Sequence, residues 1–273
     1  LPATDILNYG GKAAILNYIT TKIPDMPVPR YVVKPAEQSV DSVLREFQSM
    51  KKPVTVRSSS PHEYADFEGI FESVQNVNNE SDLIAAIKKV ERSALSDRAQ
   101  RYAAIHGFTI DERIHTIIQE QSPSMLQGAM MRHPNNPDLI FITCYSGRGR
   151  CEQVYSGCVY NDRTGKQAEA NIVINENLEL RKAKLLIDKY KEIESLKEIG
   201  EEVLYVEFGL NPLAIYQARP FKKIQTADFS LPETDLRNSL HTDLAFGITP
   251  PEGIVLPVLR SVGSVEMHVA INN

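Results

Sequence analysis

The chain has 273 residues, 42% hydrophobic and 24% charged, a balance that supports a packed core and excludes a disordered or fibrous chain. A formal net charge of −5 and a pI near 5.8 argue against a nucleic-acid binder working through bulk positive charge. No apolar run reaches the roughly 18 residues of a transmembrane helix, and "LPATDILNYGG" lacks the basic-then-apolar order of a signal peptide. The absence of an initiator Met suggests a processed or excised chain. Cys144, Cys151 and Cys158 form no CxxC pair and have no evident fourth ligand, so structural thiols in a reducing, cytoplasmic compartment are expected.

In chain order, Gly10 to Ile19 reads as a glycine turn opening a short helix. The proline-rich "IPDMPVPRYVVKP" is an extended connection containing a strand. Ser39 is the expected N-cap of a helix through "VDSVLREFQSM". "PVTVRSS" and "FEGIFESVQNV" are two strands. Ser81 is the expected cap of "DLIAAIKKVERSAL", and "SDRAQRYAAIHG" is a helix closed by Gly107. "RIHTIIQEQ", "LQGAMMRH" and "DLIFITCYS" are strands between turn-rich segments. A hairpin closed by Arg163-Thr164-Gly165 follows. "LELRKAKLLIDKYKEIESLKEIG" is a helix ended by Gly200, and "EEVLYVEFGL-NP-LAIYQARPF" is a hairpin turned at Asn211-Pro212. Strands in adjacent pairs with grouped helices indicate an α+β fold rather than a βαβ alternation. Residues 1–223 read as a domain of two subdomains, roughly 1–110 and 111–223, and 224–273 as a linker or docking segment.

Polar residues collect at four strand or helix ends. Lys12 follows a glycine pair at a helix start, where a cation and free N–H groups favour phosphate; a surface lysine in a capped turn reads the same way. Arg57 to Ser60 end a strand and suit phosphate oxygens, with Gly69 allowing close backbone approach; the alternative is a Ser-rich turn with an exposed Arg. Gln119, Glu120 and Gln121 end a third strand and could read an adenine edge, or be its solvated end. In the last hairpin, Glu207 and Gln217 lie nearly opposite each other and Gln217 shares a face with Arg219. A carboxylate and an amide oxygen are hard ligands for Mg²⁺, although a solvated cross-strand salt bridge is also consistent. Neither a GxxxxGK[ST] nor a GxGxxG-plus-acid pattern is present.

Five segments in order carry a resemblance: "GGKAAILNYITTKIPDMPVPRYVV", "VTVRSSSPHEYADFEGIFESVQNV", "SDRAQRY", "IIQEQSPSMLQGAMM" and "LYVEFG…LAIYQARP". Over residues 10–221 the chain resembles the ATP-binding domain of the phosphoenolpyruvate synthase and pyruvate phosphate dikinase family. The resemblance implies an ATP-grasp-like fold with nucleotide between two α+β subdomains. It implies that Lys12 and Arg57 contact ATP phosphates, that Gly69 to Ser73, including Glu72, form a covering loop, and that Gln119, Glu120 and Gln121 meet adenine. It assigns Mg²⁺ to Glu207 and Gln217, and charge stabilisation on the transferring group to Arg57 and Arg219. In that family ATP is cleaved to AMP and a histidine on a separate swivelling domain takes the β-phosphate, ultimately for pyruvate, by positioning and charge neutralisation. The sequence departs from the pattern in three places. His62-Glu63 replaces an acid pair, Gly147 to Glu152 is longer and more basic, and no T-S-H motif follows, His241 being the only histidine beyond the ATP region with a polar neighbourhood. These departures keep two alternatives open: a non-catalytic nucleotide-binding or regulatory module, and the ATP domain of a related dikinase with another acceptor. No nucleic-acid or membrane partner is expected.

Overall fold

The computed structural model describes residues 1–61, 70–106, 109–110, 113–132, 138–146, 156–161, 180–199, 203–221, 260–261 and 265–266. Two antiparallel sheets with helices against them make up the α+β, ATP-grasp-like architecture that was expected. The first sheet has the order β1-β4-β2-β3, from β1 (Tyr31–Lys34), β2 (Val54–Ser59), β3 (Ser73–Val77) and β4 (His115–Glu120). The second has the order β7-β6-β5-β8-β9, from β5 (Leu126–Arg132), β6 (Leu139–Ser146), β7 (Ser156–Asn161), β8 (Val203–Leu210) and β9 (Ala214–Phe221). Because β4 pairs with both β1 and β2, the first sheet continues through Glu120, past the division expected near residue 110. That pairing joins segments far apart in sequence, which local periodicity does not reveal.

The first sheet buries Val54, Val56 and Ile118 against Val43 and Phe47 of α2 (Asp41–Ser49), Leu83, Ile87 and Val90 of α3 (Glu80–Arg92), and Ala99 and Ala103 of α4 (Asp97–His106). The second packs Met130, Ile142, Val206 and Phe208 against Leu186, Ile187 and Tyr190 of α5 (Leu180–Glu194). Helix α1 (Ala3–Lys22) serves both sheets. Ile15 and Ile19 join the second sheet's core, whereas Ala13 and Leu16 close on Ile117 of the first. This division follows from the 3.6-residue period, which aims positions 15 and 19 away from 13 and 16.

Helix α1 begins seven residues before the expected glycine turn and is interrupted there, Gly10 adopting φ 76° and ψ 164°. A Cβ at Gly10 would stand 2.2 Å from the Ser59 carbonyl oxygen, so the turn requires glycine both for its dihedrals and for its space. Two expected caps are corrected. Ser39 does not cap α2 with its side chain; its carbonyl accepts the Ser42 N–H at 3.2 Å and the Ser42 hydroxyl at 2.8 Å. Asn79, not Ser81, caps α3, accepting the Asp82 N–H at 2.9 Å. Helix α5 stops at Glu194, before the expected Gly200. The Ser195 hydroxyl bonds back to the Glu192 carbonyl at 2.7 Å, and a 3-10 turn (Lys197–Ile199) follows. The hairpin at Asn211-Pro212 forms as read. Gly107, Gly200 and the 163–165 turn lie outside the described residues. So does the 224–273 segment, apart from the paired β10 (Arg260–Ser261) and β11 (Val265–Glu266). Among the described residues no helix is long and apolar enough to cross a membrane.

Tyr190 locks α5 to the second sheet. Strands β5 and β8 pair from Leu126↔Leu210 to Met131↔Tyr205, so Arg132 and Leu204 would come next. Instead the Tyr190 hydroxyl takes the place between them, accepting the Arg132 N–H at 3.0 Å and donating to the Leu204 carbonyl at 2.9 Å. Burial and the nearby Glu194 carboxylate push this phenol well above the usual tyrosine range. Arg132 is further held by Glu194, Nε to Oε1 at 2.6 Å and Nη2 to Oε2 at 2.5 Å.

Gly10→Ala should lower the unfolding free energy by about 2 kcal/mol or more, because strained dihedrals and backbone overlap coincide there; an unchanged urea midpoint would contradict the close approach. Tyr190→Phe should cost about 1–3 kcal/mol by stranding two buried backbone groups, and equal thermal unfolding of variant and parent would show that the strands re-pair without the hydroxyl.

Candidate functional site

The serines after Arg57 are not a solvated turn: Ser58, Ser59 and Ser60 are all 0% exposed. They hold the start of the second segment of α1. Gly11 N–H donates to the Ser60 carbonyl at 3.0 Å, Ala13 N–H to Ser59 Oγ at 3.0 Å, and Ser59 Oγ to the Tyr9 carbonyl at 2.8 Å. The Lys12 ammonium donates to Ser58 Oγ at 3.3 Å and is largely buried. Ser59 therefore fixes the helix, and Ser58 places the lysine beside the end of β2. The surface-lysine and exposed-arginine alternatives both fail on burial, since even the Arg57 side chain is only 20% exposed.

Arg57 reaches across to the second sheet. Its Nη1 lies 3.4 Å from Glu207 Oε2, and its Nε is buried without a hydrogen-bond partner among the described residues. Glu207 and Gln217 are register partners on β8 and β9, with Gln217 Nε2 donating to Glu207 Oε1 at 2.7 Å. The next pair is Phe208↔Ile215, so Tyr216 is the extra residue of a β-bulge. Bulges re-aim side chains, and the Arg57 guanidinium lies 5.9 Å from the Tyr216 ring. Burial pushes the Tyr216 phenol above the usual tyrosine range, against the lowering influence of the Ser124 and Ser122 hydroxyls and Arg57. Arg219 pairs with Tyr205 and lies 4.7 Å from its ring centroid, both residues being buried. Arg57, Glu207 and Gln217 thus form a polar constellation where β2 meets the β8–β9 hairpin, with Arg219 two residues from Gln217 along β9 and Lys12 bonded to Ser58 of β2.

The remaining expected residues divide. Gln119 shares the Arg57 face of the first sheet; it is buried and its Nε2 lies 3.4 Å from the Tyr216 carbonyl. The Gln121 amide donates to Thr55 Oγ1 at 2.9 Å. Glu120 falls on the opposite face, because successive strand residues alternate, and its carboxylate accepts the Lys51 N–H at 2.8 Å. Ser73 is paired with Arg57 and exposed, Glu72 stands 3.9 Å from Lys89 of α3, and Gly69 lies outside the described residues. Sequence reading missed three neighbours of the constellation. The Ser58–Lys12 bond has no sequence signal. Tyr216 is hidden because a bulge breaks the period of two. Tyr205 could have been found by carrying the hairpin register one pair beyond Glu207.

Among the described residues no three His, Cys, Asp or Glu side chains form a metal cage. The donors available are the Glu207 carboxylate and the Gln217 amide oxygen. Mg²⁺ is commonly held by one or two carboxylates together with substrate phosphates and water, so this set fits it.

The family described as pyruvate phosphate dikinase, AMP/ATP-binding domain, matches residues 12–208. No curated protein matches the sequence at a significant level. Among solved structures the chain is similar to an L-amino acid ligase from Bacillus licheniformis, at 12% identity and a TM-score of 0.45, covering 81% of this chain and 45% of that one. It is also similar to an N5-carboxyaminoimidazole synthase from Aspergillus clavatus in complex with ADP and 5-aminoimidazole ribonucleotide, at 11% identity and a TM-score of 0.46, covering 80% and 46%. A third is the D-alanine-D-alanine ligase from Helicobacter pylori, at 12% identity and a TM-score of 0.41, covering 79% and 51%. The chain spans about half the length of these structures.

A double-mutant cycle between Arg57→Ala and Glu207→Ala should give a coupling of roughly 0.5–2 kcal/mol in chemical unfolding. Strict additivity would show that the two sheets are not linked through this pair.

Proposed function

The chain belongs to the pyruvate phosphate dikinase AMP/ATP-binding domain family, and on that premise we propose that the constellation around Glu207 binds ATP with Mg²⁺ and cleaves it for phosphoryl transfer. The observation that carries this reading is the meeting of Arg57 from one sheet with Glu207 and Gln217 from the other. Lys12 and Arg57 would hold the phosphate oxygens, Arg57 offering a planar fork of donors and Lys12 a point charge. Glu207 and Gln217 would hold Mg²⁺, which would supply charge neutralisation to the phosphates. Arg219, two residues from Gln217 on the same strand, would stabilise charge on the transferring group. Gln119 and Gln121, with the Glu120 main chain, would face adenine, and Gly69, Glu72 and Ser73 would belong to a covering loop.

Burial gives these residues their leverage. Low-dielectric surroundings strengthen each charge–phosphate contact, and fixed donors need no reorganisation when charge develops. In this reading ATP is cleaved to AMP, the γ-phosphate going to water as inorganic phosphate and the β-phosphate to a histidine on a separate swivelling domain, with pyruvate as the final acceptor. The site is assigned to cytoplasmic chemistry on the same footing. The single carboxylate at Glu63 and the basic Gly147 to Glu152 segment favour a second reading, a nucleotide-binding module that does not turn over.

Titration with ATP and Mg²⁺ should show saturable binding that Arg219→Ala weakens by about tenfold or more, the scale of one buried charge-assisted contact. Unchanged affinity in that variant overturns the site assignment. Adding a phosphohistidine domain of the family to labelled ATP and this protein should produce AMP. Tight binding with no AMP in its presence or absence supports the second reading instead.

A further inference from the structure

We infer that the Arg57–Glu207 ion pair makes the site select nucleotide that arrives with a divalent cation, because Glu207 competes with phosphate for the Arg57 guanidinium; the inference rests on the roles given to Arg57 and Glu207 above. The pair joins β2 of one sheet to β8 of the other, Arg57 Nη1 lying 3.4 Å from Glu207 Oε2, with side chains 20% and 11% exposed. The second carboxylate oxygen, Oε1, accepts the Gln217 amide at 2.7 Å. Both oxygens of Glu207 are therefore engaged, one by a cation and one by a neutral donor. Arg57 Nε is buried without a hydrogen-bond partner among the described residues, so the guanidinium is not saturated by the pair.

A carboxylate and a guanidinium this far from water each require a compensating charge, and removing one partner strands the other. Here they compensate each other across the two sheets. The reading of the site assigns the same two groups to one ligand, Arg57 to phosphate and Glu207 to the metal beside it. If Arg57 turns to phosphate alone, the Glu207 charge is left uncompensated and close to an anion. Nucleotide without a metal therefore meets two costs, the broken pair and the repulsion. With a cation on Glu207 both disappear, because the charge that held Arg57 is matched elsewhere. Metal and nucleotide binding are thus coupled through one ion pair, and the coupling is reciprocal. The contact is longer than the roughly 2.7–2.9 Å of a strong charge-assisted bond, so Glu207 is a modest competitor that phosphate can displace.

The test is calorimetric titration with ATP, in EDTA and again with excess Mg²⁺, of the parent chain, Glu207→Asp, Glu207→Gln and Arg57→Ala. Aspartate keeps the charge but is one methylene shorter, so it withdraws from a contact that is already 3.4 Å long. In EDTA, Glu207→Asp should bind ATP about threefold more tightly than the parent, and Glu207→Gln about tenfold, since glutamine removes the repulsion as well. With Mg²⁺ both variants should bind more weakly than the parent. Repulsion without competition for Arg57 predicts a gain in EDTA for glutamine and none for aspartate. That pattern overturns the inference, as does a flat response to both. If Arg57→Ala weakens binding while Glu207→Asp does not tighten it, the inference alone falls and the site reading stands. If Arg57→Ala binds as the parent does, or the parent binds no ATP with Mg²⁺, both fall. Should Glu207→Gln fail to fold, Glu207→Asp decides alone.

Discussion

Everything in this fold that concerns the nucleotide depends on the approach of Gly10 to the end of β2. Because Gly10 lacks a Cβ and takes a positive φ, the α1 backbone comes into contact with Ser59 and Ser60. The helix axis is thereby set: one stripe of α1 packs on Ile117 at the face of the first sheet away from its core, and another enters the core of the second sheet. The same contact puts Lys12 on Ser58, next to Arg57. A larger residue at position 10 would displace the helix, and with it the angle between the sheets and the cation expected on the phosphates. One backbone contact thus fixes architecture and site together.

Two arginine–carboxylate pairs show how the molecule separates scaffold from site. Arg132 and Glu194 make a bidentate pair at 2.6 and 2.5 Å, supported by the neighbouring Tyr190 hydroxyl network. Arg57 and Glu207 meet at 3.4 Å through one nitrogen, beyond the roughly 2.7–2.9 Å of a strong charge-assisted bond. Glu207 is held more closely by its own hairpin, through Gln217 at 2.7 Å, than by the opposite sheet. The scaffold pair is saturated, whereas the site pair is loose and leaves the Arg57 Nε without a partner among the described residues. Buried polar groups in such a state can exchange one partner for another at small cost, as a site that must accept phosphates requires.

What the sequence made legible followed from local geometry. The Asn211-Pro212 turn fixes a hairpin register that brings Glu207 within one residue of Gln217, and the bulge at Tyr216 makes the two direct partners. "HTIIQE", with its β-branched residues between turn-rich segments, predicts a strand, but not that it inserts between β1 and β2, because the pairing is non-local. The caps at Ser39 and Ser81 misled because Ser, Asn and backbone carbonyls compete for the same orphan N–H groups, and sequence does not rank them. Tyr216 was invisible because alternation reads straight through a bulge. The first segment of α1 was missed because "ATDILNY" packs little of its surface and carries only a faint helical stripe.

The sharing of α1 between two sheets has a consequence for how the chain is made. Ile15 and Ile19 emerge long before their burial partners Leu204, Val206, Phe208, Ile215 and Ala218, which are among the last of the second sheet to appear. Ala13 and Leu16 find Ile117 much sooner. The amino-terminal half can therefore assemble its own sheet while one stripe of α1 still faces water. That stripe is an apolar surface exposed on the nascent chain until the β8 and β9 residues emerge, and burying it is a step of high sequence separation. On this geometry the helix that carries Lys12 is also the last piece to become fully enclosed.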